Sequence, residues 1–348
     1  MYTKGKILVT GGAGFVGSHV VLELIKSGYP VVVLDNFANC QILPENQKPS
    51  SIKIVESMTD ETVIFYNVDI TERLQLINVF QEHDIEVVIH LAALRYIGES
   101  KALPVDYYHT NITGSCTLFQ VMTEFKVKHL IFSSTSNVYG TPDYLPINES
   151  HPTGLQCRSP YERSKYLVEE ILKDVCHSDE EWKVIALRYF TPSGAHEWGL
   201  LGEDTIKSPN SLFAHIAEVA MGARGELCIP CSKDQEQSGF IRDYTHVMDL
   251  ATGHKNALMK LDDLRGWAAY NLGTGRAYSC VEVIDTFAKL SGKPIKYRLK
   301  PAPGVSSIEV IADTSLAQQE LKWTAFKGIE DICRDTWNWY CNKHNTLK

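Results

Sequence analysis

An α/β fold is predicted, a doubly wound parallel sheet with a smaller C-terminal α/β domain, and three observations predict it. The opening KILVTGGAGFVGSHVVLELIKSGYPVVVLDN runs strand, Gly-rich turn, amphipathic helix and second apolar strand, with Gly28 stopping the helix, which makes a βαβ unit. Short apolar strands then recur at TVIFYNVDI, EVVIHLAAL, HLIFSSTS and KVIALRYF, separated by helical patterns over 71–83, 111–125 and 161–175. That alternation is the signature of a parallel sheet with helices on both faces. After about residue 191 it gives way to Gly, Pro and Ser turns, short strands and two helices, SLFAHIAEVAMGA and SCVEVIDTFAKLSG.

Residues 1–190 are therefore read as one domain and 191–348 as a smaller substrate domain lying over the carboxyl edge of the sheet, where open α/β folds bind ligands, with some of its segments free to return to the first domain. Residues 38–60 are polar and Pro-containing, a surface insertion with one helix and no assigned chemistry. The tail GIEDICRDTWNWYC reads as a closing helix whose aromatic residues pack. No internal repeat or low-complexity tract is evident.

Composition narrows the function. The 348 residues are 44% hydrophobic and 22% charged, enough for one large or two medium domains around a cleft. A net charge of −8 with a pI near 5.9 argues against a nucleic-acid or anionic-membrane surface and for a small ligand. No leader-like segment precedes the first strand and no apolar run approaches the ~18 residues of a membrane span, so the cytoplasm is the expected location. The nine cysteines are an odd number scattered along a long chain and are read as thiols. Cys228 and Cys231 form a lone CxxC without a second pair, so no metal is expected.

The stretch SPYERSKYLVEE starts a helix: Ser159 and Glu162 can form a capping box and Pro160 suits the first helical position. Tyr161, Lys165, Val168 and Leu172 share its apolar face, so an ammonium is aimed inward. Snorkelling of the lysine stem is the plain explanation. Further upstream, Gly11, Gly14 and Gly17 spell G-x-x-G-x-x-G where the first strand meets the first helix, and bare backbone there lets a pyrophosphate approach the helix N-terminus. Asp35 ends the second strand, 24 residues after Gly11, where its carboxylate can bind ribose hydroxyls and repel a 2′-phosphate. Dinucleotide binding, with NAD favoured over NADP, outweighs the alternative of tight helix-to-sheet packing.

This glycine spacing resembles the extended short-chain dehydrogenase/reductase family, which pairs a Rossmann-type sheet with a Tyr-x-x-x-Lys on a later helix. The resemblance gives Tyr161 and Lys165 a catalytic meaning. A tyrosine near its reference pKa of about 10 is ~0.1% ionised at neutral pH, and reaching about 7 takes roughly 4 kcal/mol of differential stabilisation. An inward Lys165 and a nicotinamide cation could supply it. Thr135, in SSTSNVYG at the end of a strand, offers a hydroxyl between a substrate OH and Tyr161; the alternative is that these residues merely end the strand. Dehydratases and decarboxylases of this family place acids just after that hydroxyl, where this chain has Ser136 and Asn137. One acid/base tyrosine plus hydride transfer is thus favoured.

The motifs LVTGGAGFVGSH, LDNFAN, VIHLAALRYIGES, FSSTSNVYG, SPYERSK, LRYFTPSGAH, IRDYTHVMDLATGH and YNLGTG make nearly the whole chain similar to that family's 4-epimerases, which interconvert UDP-galactose and UDP-glucose. That similarity implies tightly bound NAD that takes the C4 hydride and returns it to the other face of a 4-keto sugar, with Tyr161 moving the 4-OH proton through or beside Thr135. It implies cofactor contacts at Gly11, Gly14, Phe15, Val16, Gly17, Asp35, Asn36, Asn39, Leu91, Ala92, Ala93, Arg95, Ser133 and Tyr189. Asp69 and Ile70 would flank the adenine, Asn111 would lie along the cofactor, Lys165 would hold the nicotinamide ribose and Phe190 would pack near the nicotinamide. Asn210 and Arg242 would hold UDP, with Thr191, Ser211, Leu212 and Val310 also on the substrate. A homodimer is implied.

Four places depart from the family pattern. Arg95 replaces a lysine, Thr191 an asparagine and Ser211 the second asparagine of Pro-Asn-Asn, while KPAPGVSSIEV lacks the arginine of Arg-x-Gly-Asp. A lost charge-assisted contact would cost ~1.5 to 3 kcal/mol, with Lys300 as the candidate replacement. Small Val310 admits N-acetylated sugars such as UDP-GlcNAc or UDP-GalNAc. Two other readings therefore stay open: an epimerase of another nucleotide sugar, and a catalytically weak NAD-binding relative that acts through protein contacts.

Overall fold

Each predicted strand lies where its apolar run is longest, because a strand covered on both faces must be apolar on both. The computed structural model describes residues 5–38, 48–204, 211–231, 239–301 and 309–346. In chain order the first half runs β1 (Lys6–Thr10), α1 (Phe15–Lys26), β2 (Val31–Asp35), α2 (Ser50–Thr59), β3 (Ile64–Asn67), α3 (Arg73–Glu82), β4 (Ile85–His90), α4 (Ile97–Ala102), α5 (Pro104–Tyr108), a π-helical stretch His109–Gly114 leading into α6 (Ser115–Glu124), β5 (His129–Thr135), α7 (Pro160–Ser178) and β6 (Lys183–Tyr189). It continues with β7 (Thr191–Ser193), α8 (Leu212–Ala220), β8 (Leu227–Cys231), β9 (Ile241–His246), α9 (Val247–Lys260), β10 (Gly266–Leu272), β11 (Ala277–Ser279), α10 (Cys280–Ser291), β12 (Tyr297–Pro301) and α11 (Ile329–Thr346).

The main sheet has seven parallel strands in the order β10-β6-β5-β4-β1-β2-β3. Alternate residues feed its two faces. Ile7, Val9, Val33, Ile89, Ile131 and Leu187 pack with α1, α2 and α9 on one side, while Leu8, Val32, Leu34, Val88, Phe132 and Ala186 pack with α3, α6 and α7 on the other. Strand order reverses between β1 and β4, and ligands bind in the crevice at such a switch point. The doubly wound α/β prediction is met.

Helix α7 begins as its sequence dictates. The Ser159 side chain accepts from the Glu162 N–H at 3.2 Å, and Glu162 accepts from the Ser159 N–H at 3.0 Å, with Pro160 at the first turn. A helix expected over 111–125 is instead π-helical up to Gly114 and α-helical after it. Such one-turn widenings re-aim side chains and collect at functional sites. The short helices α4 and α5 were not legible in the sequence.

The later chain is divided. Residues 247–272 return to the large sheet: α9 packs on α1, and β10 extends the sheet in register with β6, Leu272 opposite Tyr189. The remainder forms a three-stranded sheet β11-β9-β7 and a two-stranded sheet β12-β8, whose core joins α8, α10 and α11 through Phe213, Ile216, Ile284, Phe287 and Ile332. Cys228 is exposed and Cys231 buried on β8, as positions three apart in a strand face opposite ways, so the CxxC does not converge on one point. Among the described residues no helix is long and apolar enough to cross a membrane, and no three metal-ligating side chains cluster.

Candidate active site

Across the carboxyl ends of β1, β2, β4, β5 and β6, under a roof from the smaller sheets, lies a cleft of about 570 Å³. Its floor is the glycine turn. Gly11 has φ +67°, and a Cβ there would meet the Ala92 nitrogen at 2.6 Å; a Cβ on Gly17 would meet the Gly11 carbonyl oxygen at 2.1 Å. Only glycine lets α1 start this close to β1 and leaves backbone open to the cleft, which suits a pyrophosphate at a helix N-terminus. Asp35 accepts from the N–H groups of Ala13 (3.1 Å) and Phe37 (2.9 Å), so its carboxylate is held at the rim of the turn; burial pushes its pKa up and these donors oppose the rise. A nucleotide with a ribose diol fits this donor set.

Beside the turn, a chain of buried bonds holds the loop after β4. The N–H groups of Leu91 and Ala92 donate to Thr10 Oγ1, each at 3.2 Å, and Thr10 pairs with His90 Nδ1 at 2.7 Å. His90 Nε2 meets Ser115 Oγ at 2.9 Å, and Ser115 donates to the Asn111 carbonyl at 2.5 Å. Every member is satisfied with a neutral imidazole, in keeping with the burial that takes His90 down to about 3.

The inward lysine is settled by geometry. Lys165 is 4% exposed and lines the cleft, its Nζ donating to the Ser133 carbonyl at 2.7 Å and the Ser133 hydroxyl at 3.2 Å, over the Phe132 ring. It does not snorkel. Burial brings its pKa down to about 7, with Glu169 opposing the fall. Tyr161 lines the same cleft, hydrogen-bonded with Thr135. Burial raises its pKa, and the groups opposing that rise are Thr135 and the charge of Arg95 rather than Lys165. Arg95 itself bonds Glu203 Oε1 at 2.8 Å, and Glu203 Oε2 accepts from Ser211 at 2.5 Å, so two positions that depart from the family pattern are joined through one carboxylate.

Of the residues expected on the cofactor, Gly11, Gly14, Phe15, Val16, Gly17, Asp35, Asn36, Ile70, Leu91, Ala92, Ala93, Arg95, Ser133 and Tyr189 line the cleft with Tyr161, Lys165 and Thr135. So do Thr191, Ser211, Leu212, Arg242 and Val310 of the expected substrate set. Asn39 and Asn210 lie outside the described residues. Three others do not line it. Asp69 bonds the Asn36 amide at 2.5 Å and caps its own turn through Thr71. Asn111 spends its side chain on the Leu94 N–H (2.8 Å), the Leu94 carbonyl (2.9 Å) and Ser164 (2.9 Å). Phe190 is buried in a small cluster with Val138, Tyr139, Ile147 and Ala312.

Arg242 and Asp243 part company, as neighbours in a strand must. Arg242 faces the cleft, where burial lowers its pKa. Asp243 is buried and accepts from the N–H groups of Thr274 and Gly275. Sequence reasoning missed Tyr244, whose buried hydroxyl has no partner among the described residues and which lines the cleft two residues from Arg242. Period-two spacing within IRDYTHV was the available signal. Lys300 lies on β12 and is not part of the lining, and residues 302–308 are outside those described.

Fold and site together define a class: a dinucleotide-binding parallel sheet with a buried Tyr–Lys acid/base pair at its carboxyl edge and an arginine-bearing roof. The chain belongs to the NAD dependent epimerase/dehydratase family, whose model matches residues 7–273. It is 45% identical over 343 residues to the UDP-glucose 4-epimerase of Drosophila melanogaster, with 97% of each chain covered. The UDP-glucose 4-epimerase of Bifidobacterium longum, solved with NAD⁺ and UDP, superposes with a TM-score of 0.91 at 40% identity, covering 98% of this chain and 99% of that one. The enzyme of Stenotrophomonas maltophila, solved with NAD and formylated UDP-arabinopyranose, also gives 0.91, at 36% identity with coverage of 98% and 99%.

Proposed function

We propose that this chain is a UDP-hexose 4-epimerase that interconverts UDP-galactose and UDP-glucose. The observation that carries the reading is a buried tyrosine and lysine, with Thr135 on the phenol, opening onto the same cleft as the glycine turn and Arg242. The relatives named above support it. NAD would be held by the glycine turn, Asp35, Ser133 and Lys165, and when bound it supplies a reversible acceptor for the C4 hydride, so the sugar passes through a 4-keto form with no net oxidation. Tyr161 takes the 4-OH proton and later returns it, relayed by Thr135. The Thr135 hydroxyl and the Arg95 guanidinium favour the phenolate against burial. Arg242 and the Tyr244 hydroxyl anchor the phosphate end, so the sugar can turn over while the remote contacts hold.

Residues 1–190 with the returning 247–272 form the cofactor half of this reading, and the other later segments the substrate half. The reading takes the enzyme as a cytoplasmic homodimer, and Leu103, Val105 and Leu167, exposed on or beside α5 and α7, support a dimer through these helices. The test is incubation of the pure protein with UDP-galactose, reading UDP-glucose by NMR. Product formation is expected. Its absence at high enzyme concentration overturns the reading and favours the weak NAD-binding relative. A second reading rests on Val310, a small side chain on the cleft wall that leaves room for an N-acetyl group; UDP-GalNAc as a parallel substrate tests it.

A further inference from the structure

Behind the cleft a buried carboxylate is bonded by one buried cation and lies one helical turn from another. Lys165 and Arg188 are 4% and 3% exposed, and Glu169 is 0% exposed. Glu169 lies one turn beyond Lys165 on the same face of α7. Its carboxylate takes a forked pair of bonds from Arg188 on β6, Nε to Oε1 at 3.0 Å and Nη2 to Oε2 at 2.7 Å, and a third from the Ser134 hydroxyl on β5 at 2.5 Å. Arg188 is itself clamped, donating through Nη1 to the Tyr139 hydroxyl at 2.9 Å, and Tyr139 donates onward to Asn271 at 2.6 Å. One carboxylate therefore ties α7, β5 and β6 together behind Ser133, Ser134 and Thr135. The outer two of these touch Lys165 and Tyr161.

The charges point the same way. Both hydrogen-bond acceptors of the Lys165 ammonium, the Ser133 carbonyl and hydroxyl, are neutral. From β4 the ammonium is faced by His90, kept neutral by burial; from β6 by Tyr189, whose phenol shares Ser133 and is raised by burial, and by Arg188, already committed to Glu169; from its own helix by Tyr161 and Glu169. Glu169 is the anion in that set, and its field opposes the loss of the Lys165 proton.

We propose that Glu169 is a positioning residue of the site: it aligns the ends of β5 and α7 that carry Thr135, Tyr161 and Lys165, and it is the counter-charge that keeps Lys165 an ammonium, with Arg188 holding it in place. The catalytic half of this rests on the epimerase reading above. The charge half does not, so the first measurement needs no substrate: an NMR titration of ¹⁵N-lysine-labelled protein, with Lys165 assigned by Lys165→Met. Glu169→Gln lowers the Lys165 midpoint by roughly one unit or more, since a buried charge one turn away is worth that much even at an effective dielectric near 20. Glu169→Asp, with its carboxylate drawn back by one methylene, gives an intermediate midpoint and serves alone if the Gln variant does not fold.

In the NAD-loaded enzyme, loss of the lysine proton weakens its hold on the nicotinamide ribose, so the alkaline limb of kcat moves to lower pH by the same interval, while KM changes less than threefold. An unchanged midpoint in a folded variant, or a loss of activity equal at every pH, overturns the proposal. Absence of epimerase activity together with a shifted midpoint sinks the reaction assigned above and leaves the role of Glu169 standing.

Discussion

Within its first 35 residues the chain builds the glycine turn and the carboxylate at the cofactor end of its cleft, whereas the substrate end draws on residues scattered from Thr191 to Val310. The first is made of backbone: a glycine turn, a helix start and one carboxylate that caps the turn. The second is made of side chains from β7, α8, β9 and the strand-like bridge of Arg242 with Val310. Backbone recognition tolerates almost no substitution, because adding a single Cβ closes the turn. Side-chain recognition can be rebuilt residue by residue, and the departures at Thr191 and Ser211 fall at that end. Arg95 belongs to the cofactor side by sequence yet reaches across to the substrate side through Glu203 and Ser211.

That contrast can be broken or sharpened in order of expected effect. Tyr161→Phe, which removes the acid/base group shared by both ends, is expected to lower kcat about 10³- to 10⁴-fold while NAD still copurifies, as read from the ultraviolet spectrum of the denatured protein. Gly17→Ala forces a Cβ to within 2.1 Å of a carbonyl oxygen, so it should lose the cofactor and melt earlier by a free energy of about 1–3 kcal/mol or more, checked by calorimetry and NAD content. Arg242→Met should leave NAD retention alone and raise KM for UDP-galactose by roughly ten- to a hundredfold, the worth of a charge-assisted contact. Tyr244→Phe should raise KM only about three- to tenfold, since one neutral hydrogen bond is at stake. Equal losses of NAD in the last two variants would mean that the two ends are not separable.

A further prediction concerns the cost of aiming a lysine inward. With the Lys165 pKa brought down to about 7 from 10.5, the unfolded chain holds one more proton than the folded one between those values, so stability rises with pH across that window. Lys165→Met should therefore be more stable than the parent at neutral pH, with the gain shrinking toward pH 10, as measured by urea unfolding at several pH values. A gain independent of pH would assign the effect to packing.

The sheet and the site were not equally legible. Apolar runs and the glycine turn announce the parallel sheet because burial on both faces leaves no other composition. The capping box announces α7 to within a residue, since its signal is local. Asn111 shows the opposite case: similarity put it along the cofactor, yet its amide is consumed by Leu94 and Ser164, contacts between residues 17 and 53 positions apart that no local pattern encodes. Glu169 and Glu203 were passed over for the same reason, as a carboxylate on a helix or in a loop reads as solvated surface until its partners on other segments are known.

What the amino-acid order determined alone was whatever depends on neighbours in the chain: strand and helix periodicity, the cap of α7, the room at Gly11 and Gly17, and the shared helical face of Tyr161 and Lys165. What only the tertiary structure decided was the company those groups keep. Burial lowers the pKa of Lys165, and strands more than twenty residues apart in sequence supply Ser133, Arg188 and Arg242, because a low-dielectric interior makes each distant charge felt once folding has expelled the water between them.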